Sequence, residues 1–135
     1  MEPMLLHLHL VRHGQTFFNR YNRLQGWSNS PLTESGIADA DKAANKLKEF
    51  DFVAAYCSDT TRAQMTAQRI LDVNEAAGHT RPQLVSDMHF REQFYGYFEG
   101  QDMGWLGPPR EAARCEELQR TSSQSSVLVR TRDFL

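Results

Sequence analysis

Three short apolar runs along the chain predict β-strands. Residues 5–11 are apolar except for His7 and His9 and are bounded by the glycine at position 14, a pattern typical of a strand buried on both faces of a sheet. Residues 51–57 form a second run, and residues 83–86 form a third, shorter one. Because no defined third ligand accompanies His7 and His9, we interpret them as packing or edge residues rather than metal ligands.

Between these runs, apolar residues recur at the 3.6-residue spacing of two amphipathic helices. The first is expected to begin after Thr33, whose side chain can accept a hydrogen bond from a first-turn N–H, and to end near Phe50. The second is expected to be capped by one of residues 58–61 and to stop at Gly78, which places Arg62 at the positive end of its dipole. Strands alternating with helices indicate an α/β fold with a largely parallel sheet.

The chain changes in composition after Met103. Residues 104–135 contain five Arg, no Lys and a Ser-rich run. A weakly apolar helix is expected over residues 110–120, and a last strand over residues 127–129. We therefore treat residues 1–103 as one unit and the remainder as a divergent tail.

Composition and charge narrow the function classes. A chain of 135 residues is expected to form one domain with one core. The formal net charge of −2, from 15 basic and 17 acidic residues, lacks the basic excess that nucleic-acid binding requires, so no nucleic-acid partner is expected. Two cysteines in unrelated contexts give no disulfide framework, and the apolar start is too short to span a bilayer and lacks a cleavage-site pattern. We expect a cytoplasmic protein without membrane association.

Arg12, His13 and Gly14 follow the first predicted strand, ahead of a polar loop over residues 14–32. Open α/β sheets usually bind ligands at the carboxyl ends of their strands. Here a histidine can act as nucleophile or as acid and base, an arginine offers a planar fork of donors to phosphate oxygens, and a glycine lets the backbone approach an anion. An isolated Arg-His pair is by default interpreted as a surface pair without function. The remaining motifs decide whether a functional interpretation is justified.

Further short motifs follow this block in a fixed order across residues 5–102: Leu10–Thr16, Asn19, Leu24–Trp27, Pro31–Gly36, Ser58–Ala63 with Thr66–Ala67, Phe90–Glu92 and Gly96–Gly100. The series resembles the histidine phosphatase superfamily, the group that contains the cofactor-dependent phosphoglycerate mutases and related phosphatases. The resemblance implies a three-layer α/β/α phosphoglycerate mutase-like fold, of which residues 1–103 would be the N-terminal part, so that the fold is expected to be incomplete.

The resemblance also implies roles for individual residues. His13 would form a covalent phosphohistidine, Arg12 and Arg62 would bind the phosphoryl group, and Glu92 would be the proton donor. The other implied substrate-binding positions are Gly14, Gln15, Thr16, Asn19, Gln25 and Gly26. This division of labour is chemically reasonable, because phosphoryl transfer needs an in-line nucleophile and concentrated positive charge on the equatorial oxygens. No metal or other cofactor is implied, and the implied partner is a small phosphorylated substrate.

A carboxyl group such as Glu92 donates a proton near neutral pH only if burial or nearby negative charge, including the phosphate itself, keeps it protonated. A set of aromatic residues around it would supply a low-dielectric wall or, as the alternative, simply core and lid packing: Phe90, Phe94, Tyr95, Tyr97 and Phe98. The alternative for Glu92 itself is a solvated loop carboxylate paired with Arg91.

The C-terminal part departs from the family pattern. Family members carry a second pocket histidine, usually followed by glycine on a late strand, but no histidine follows His89 here. Arg130 stands near the expected place and would substitute in part only if the tail folds back to the pocket. Family members also run longer, so absent strands are expected to leave an exposed sheet edge through which oligomers can form. A truncated or frame-altered copy of a larger enzyme is one hypothesis for this change.

Three functions stay open. A phosphomonoester phosphatase that uses His13 is the favoured interpretation, because hydrolysis demands less of an incomplete site than controlled transfer to a second substrate. A phosphoglycerate mutase-like isomerase is the first alternative. A non-catalytic phosphate-ligand or partner-binding module, or an inactive fragment, is the second, because removing one preorganised donor from a developing oxyanion costs about 10²–10³ in rate.

Overall fold

The computed structural model describes residues 5–103 and 127–132. These residues form four strands and three helices in the order β1 (Leu6–Val11), α1 (Phe17–Arg20), α2 (Glu34–Leu47), β2 (Phe52–Cys57), α3 (Thr61–Ala76), β3 (Leu84–Ser86) and β4 (Val127–Arg132). Two 3₁₀ turns, Met88–Phe90 and Gly96–Phe98, lie between β3 and β4. The predicted strands and both long helices are therefore confirmed, whereas α1 falls inside the segment that was expected to be loop.

The four strands form one sheet in the order β1-β4-β2-β3. Strands β2 and β3 pair in parallel, and β4 pairs antiparallel with both β1 and β2. Because β1, β2 and β3 thus share one direction, the expectation of a largely parallel α/β sheet is confirmed. The carboxyl ends of these three strands meet at one edge, where an α/β sheet places its ligand crevice.

The register of β4 bears on the proposed substitution of Arg130 for the second pocket histidine. Val127 is paired with Val11 at the carboxyl end of β1, whereas Arg130 is paired with Leu8. Residue 8 lies five positions before His13, which is about 16 Å along an extended strand. Strand β4 does pair with β1, but the backbone of Arg130 lies beside the middle of β1 and not at its carboxyl end, so this register does not support Arg130 as a substitute for the histidine.

Helices α2 and α3 pack together on one face of the sheet. The core between them is built from small side chains on the helices and larger ones on β2 and α3: Ala44, Phe52, Cys57, Ala63, Ala67 and Ile70. Burying a side chain such as Ile70 contributes about 1.5–3 kcal/mol, and the alanines allow the two helices to approach closely. The fully buried Asn74 donates from Nδ2 to the carbonyl of Phe50 at 2.7 Å and so fixes the turn that follows α2.

Only one face of β1 is covered by these helices. On the other face Leu6, Leu8 and Leu10 are 49%, 50% and 54% exposed, so the expectation that β1 is buried on both faces is wrong. On the covered side, the His9 ring packs against Phe50 with a centroid distance of 4.6 Å, in agreement with its interpretation as a packing residue.

Two other predictions concern the remainder of the chain. The last strand expected at residues 127–129 is confirmed as part of β4, and the helix expected over residues 110–120 lies outside the described residues. Within the described ranges, none of the helices has both the length and the apolar character needed to cross a bilayer.

Candidate active site

A cavity of about 360 Å³ opens at the carboxyl end of β1. It is lined by Arg12, His13, Gly14, Gln15, Asn19, Asn22, Arg23, Asp39 and Met103. Five of the residues predicted from sequence thus lie around one space, at the sheet edge where a ligand was expected. Asn22, Arg23 and Asp39 were not predicted to line it.

The His13 imidazole is held in one tautomer by its own loop. Its Nδ1 lies 2.7 Å from the carbonyl oxygen of Gly14. Because a carbonyl oxygen only accepts hydrogen bonds, Nδ1 must carry the proton, and Nε2 then carries the lone pair. Burial lowers the pKa of His13 from 6.5 to about 4; the hydrogen bond to Gly14 opposes this shift, and the charges of Arg62 and Arg12 reinforce it. The imidazole is therefore neutral, with a lone pair on Nε2, throughout the neutral pH range.

This pKa makes a prediction about stability. The unfolded chain protonates His13 near pH 6.5 and the folded chain only near pH 4, so the unfolded state binds more protons between these values. The free energy of unfolding should fall as the pH is lowered through this window, by about 3 kcal/mol from this residue. Urea unfolding at pH 7 and pH 4.5 measures the loss, and a His13→Asn variant should lose correspondingly less. An equal loss in both proteins would contradict the shifted pKa.

Gly14 and Gly36 bring the first turn of α2 into direct contact with the loop after β1. A Cβ atom on Gly14 would lie 2.0 Å from the carbonyl oxygen of Gly36, and a Cβ atom on Gly36 would lie 2.0 Å from the carbonyl oxygen of Gln15. Thr33 caps α2 as predicted, since its side chain accepts from the Gly36 N–H at 3.1 Å, and its own N–H donates to the Gln15 carbonyl at 2.9 Å. The start of α2 therefore fixes the backbone that carries His13.

Replacing Gly36 with alanine is expected to destabilise the protein by about 3 kcal/mol or more, because the new methyl group meets backbone on a second element and neither side can give way. The gain in helix propensity from glycine to alanine, about 1 kcal/mol, is smaller and does not compensate. Ser35→Ala, at the neighbouring exposed position, is the matched control. Thermal unfolding of both variants checks the prediction, and similar small shifts would show that the close backbone contact is not maintained.

Thr16 and Gln25 lie beneath the cavity rather than on its wall. Thr16 is fully buried and caps α1: its hydroxyl accepts from the Asn19 N–H, and its own N–H donates to Asn19 Oδ1 at 3.0 Å. The Thr16 hydroxyl also lies 2.6 Å from Gln25 Oε1. The structure thus brings Asn19 to the cavity, while Thr16 and Gln25 support the loops around it.

Arg62 lies in the first turn of α3, as predicted, and is 3% exposed. Its Nη1 donates to the carbonyl of Ser28 at 2.7 Å, and its Nη2 donates to the carbonyl of Gly26 at 2.6 Å. In the part of the chain that the structure describes, its Nε is buried without a hydrogen-bond partner. Burial lowers the pKa of Arg62, although the charges of Glu92 and Glu99 oppose the shift. Arg62 therefore binds a loop with two nitrogens and keeps one donor unused; its charge acts on His13, although Arg62 is not among the residues that line the cavity.

Glu92 is half-buried and close enough to Arg62 to act on it electrostatically. Its Oε1 accepts from the N–H of Gln93 at 2.8 Å. The alternative in which Arg91 pairs with Glu92 is wrong, because Nε and Nη2 of Arg91 both donate to the carboxylate of Asp59 at 2.6 Å. The Glu92 carboxylate is thus not neutralised by its neighbour in sequence.

Glu99 was not predicted as a functional residue. Its carboxylate accepts hydrogen bonds from the backbone N–H groups of Gly26, Trp27 and Ser28 and from the Ser28 hydroxyl, and so organises the loop that Arg62 contacts from the other side. The motif Gly96–Gly100 was noted in the sequence, and its single acidic residue is the only signal from which this role could have been inferred.

A sequence profile of the histidine phosphatase superfamily (branch 1) matches residues 8–132. The chain belongs to this superfamily. Similar histidine phosphatases include the probable phosphoglycerate mutase GpmB of Yersinia pestis (strain Pestoides F), which is 37% identical over 117 residues, or 87% of this chain and 52% of that protein. The chain thus spans about half the length of the curated relatives it matches.

Solved histidine phosphatase structures support the same fold. The phosphoglycerate mutase of Bacillus anthracis str. Sterne superposes with a TM-score of 0.68 at 29% identity, covering 89% of this chain and 59% of that one. A mycobacterial glucosyl-3-phosphoglycerate phosphatase solved with VO3 gives a TM-score of 0.61 at 29% identity, covering 70% and 42%. The phosphoglycerate mutase-like α/β fold is therefore confirmed, and two of its three expected layers lie within the described residues. Both mutases and phosphatases occur among the relatives.

Proposed function

We propose that this protein hydrolyses small phosphomonoesters through a phosphohistidine at His13, with Glu92 as the proton donor. One observation carries the proposal: the neutral His13 imidazole, with its proton fixed on Nδ1 by the Gly14 carbonyl, lies at a cavity that Arg12 also lines. A nucleophile of this kind needs no separate base, because its lone pair is available at neutral pH.

The reaction would take two displacements at phosphorus. In the first, the Nε2 lone pair of His13 forms the N–P bond as the P–O bond to the leaving group breaks, and the leaving oxygen takes a proton from Glu92. In the second, water attacks phosphorus, Glu92 takes a proton from that water, and the N–P bond returns its electron pair to Nε2. Nδ1 keeps its proton throughout, and the Gly14 carbonyl stabilises the cationic phosphorylated ring.

Positive charge would come from Arg12 on the cavity wall and from the buried Arg62, whose Nε is the donor it has left for a phosphoryl oxygen. Such donors act by stabilising charge on the transferring group. Hydrolysis is favoured over the mutase reaction because water, unlike a second phosphorylated substrate, needs no dedicated binding elements. The competing candidate, a non-catalytic phosphate-binding module, is favoured by one observation: Nη1 and Nη2 of Arg62 are both bound by backbone carbonyls, which leaves only Nε for a phosphoryl oxygen.

Rapid-quench kinetics with p-nitrophenyl phosphate on the full chain would test the proposal. We expect steady turnover, a burst of p-nitrophenol equal to the site concentration when dephosphorylation is slow, and an acid-labile, base-stable phosphoprotein. Binding of inorganic phosphate without any turnover would favour the non-catalytic module instead. Transfer of the phosphoryl group from the protein to an added phosphorylated sugar acid, with little release of phosphate, would favour the mutase.

A further inference from the structure

Glu99 lies on the opposite side of the Gly26–Ser28 loop from Arg62. Its Oε1 accepts from the Trp27 N–H at 2.7 Å, and its Oε2 accepts from the N–H groups of Gly26 and Ser28, both at 3.2 Å, and from the Ser28 hydroxyl at 2.5 Å. The N–H of Tyr95 adds a further contact at 3.3 Å. One carboxylate thus accepts hydrogen bonds from the N–H groups of three consecutive residues, which is more than a surface carboxylate usually accepts.

The Gly26–Ser28 loop packs tightly against the Glu99 carboxylate. A Cβ atom on Gly26 would lie 2.6 Å from Glu99 Oε1 and 2.0 Å from the carbonyl oxygen of Gln93, so only glycine allows this approach. Burial raises the pKa of the Glu99 carboxyl, but the hydrogen bonds from Ser28 and from the backbone outweigh it, and the pKa lies below its usual range. Glu99 is therefore ionised in neutral solution and binds the loop with charge-assisted hydrogen bonds.

A single peptide unit links Glu99 to Arg62. In a trans peptide the C=O and N–H groups point in opposite directions. The peptide between Gly26 and Trp27 donates its N–H to Glu99 at 2.7 Å and accepts at its carbonyl from Arg62 Nη2 at 2.6 Å. The Ser28 carbonyl receives Arg62 Nη1 at 2.7 Å from the same loop. Hydrogen bonds in such a chain polarise one another, so the carboxylate strengthens the hydrogen bond that the Gly26 carbonyl accepts from the guanidinium.

We propose that Glu99 is a positioning residue for phosphate binding, which acts through the Gly26–Ser28 loop to set the orientation of the Arg62 guanidinium and direct its remaining Nε–H donor toward the phosphoryl group. The proposal rests on the proposed function in so far as Arg62 binds that group. It gives Glu99 no contact with the substrate, and it explains why an acidic residue is placed near a site that binds an anion.

Glu99→Asp tests this proposal at constant charge. The shortened side chain cannot reach all of its partners, so we expect the affinity for inorganic phosphate, measured by 31P NMR or calorimetry, to fall about tenfold, which corresponds to 1.4 kcal/mol. Glu99→Gln should also bind more weakly than the wild type. A purely electrostatic role makes the opposite prediction, because Glu99→Asp would then change little and Glu99→Gln would bind the anion more tightly. Glu49→Asp, at an exposed position after α2, is the matched control.

A double-mutant cycle with Arg62→Lys separates positioning from general destabilisation. In the Arg62→Lys background, Glu99→Asp should have little further effect on phosphate affinity, because the group that it positions is gone. An undiminished tenfold effect in that background would overturn the proposal, as would a variant that is less stable but binds phosphate normally.

A spectroscopic readout needs neither turnover nor phosphate binding. In the wild type, the two carbonyl contacts should restrict rotation of the Arg62 guanidinium and give separate Nη–H resonances in a 15N spectrum at low temperature. In Glu99→Asp these resonances should merge, and unchanged resonances would overturn the proposal. If the wild type binds phosphate without hydrolysing it, the proposed hydrolysis fails while the affinity cycle still decides the role of Glu99. If the wild type binds no phosphate, the proposed role of Glu99 in phosphate binding is overturned as well.

Discussion

Replacing His13 with alanine is expected to lower kcat for p-nitrophenyl phosphate by about 10⁴-fold or more, because loss of a covalent nucleophile is among the largest effects that a single residue has on an enzyme. The change removes the only atom that would form the N–P bond. The acid-labile phosphoprotein should disappear together with turnover. Phosphate affinity should fall much less, because Arg12 and Arg62 remain in place.

His89→Ala is the matched control for this variant. His89 is exposed and its Nδ1 lies 2.6 Å from Asp87 Oδ1, outside the cavity. Its removal should leave turnover and the burst of p-nitrophenol within about twofold of the wild type, as expected for a surface substitution that changes stability by no more than ~0.5 kcal/mol. A His13→Ala protein that is folded and still turns over at more than about a hundredth of the wild-type rate would show that His13 is not the nucleophile.

The elements that local patterning predicts are those whose apolar residues face one shared core. Strand β2 and helix α3 are examples, because Phe52, Cys57 and Ile70 all contribute to it. The place of β4 between β1 and β2, and its antiparallel direction, depend on pairing between residues 70 or more positions apart. No local pattern encodes such a partner or direction, so the sheet order had to come from the structure.

The exposed face of β1 shows a related limit. A run of alternating Leu and His residues predicts a strand, but it does not say what covers each face. Leu8 and His9 lie next to each other in sequence, yet one is half exposed while the other packs against Phe50. Hydrophobicity predicted the strand correctly, and coverage by neighbouring elements decided its burial.

For the candidate site, the sequence predicted where the functional side chains lie, but it did not predict the contacts that hold them in place. The end of β1 places His13 at the cavity, and the start of α3 at Thr61 places Arg62 in the first helical turn, as the sequence predicted, although Thr60 at the N-cap makes no side-chain capping hydrogen bond. What holds them is backbone: the Gly14 carbonyl fixes the His13 tautomer, and the Gly26 carbonyl binds Arg62. Side-chain identity carries no direct information about which carbonyl a nitrogen will meet, and this is why Glu99, which acts on the same loop, was missed.

The burial of Arg62 and the neutrality of His13 are connected. Burial is the main cause of the lowered pKa of His13, and the charges of Arg62 and Arg12 lower it further, because two arginines and a protonated imidazole in one partly buried space would repel one another. The site avoids this cost by keeping the imidazole neutral. If His13 is the nucleophile, as proposed, its neutral imidazole next to fixed positive charge suits attack on a phosphate dianion, because the lone pair stays reactive while the cations attract the substrate.

Replacing Glu92 with glutamine is expected to have an effect that depends on the leaving group. For an alkyl phosphate, whose alkoxide is a poor leaving group, kcat should fall by about 10²–10⁴-fold, because departure needs a proton from Glu92. For p-nitrophenyl phosphate, whose phenolate leaves readily as an anion, the loss in the first step should be less than about tenfold, as expected when general acid catalysis contributes little. Burst rates for both substrates measure the difference.

Arg91 is bound by Asp59 and forms no ion pair with Glu92. The substitution therefore removes the proposed proton donor without releasing a guanidinium group, which makes the test specific. The hydrogen bond that Glu92 accepts from the Gln93 N–H can be kept by the amide oxygen of glutamine. Glu49→Gln makes the same chemical change at an exposed position and should alter neither substrate's rate. Equal losses for the two substrates would assign Glu92 to binding or to support of Arg62, and no loss for the alkyl phosphate would remove it from the reaction.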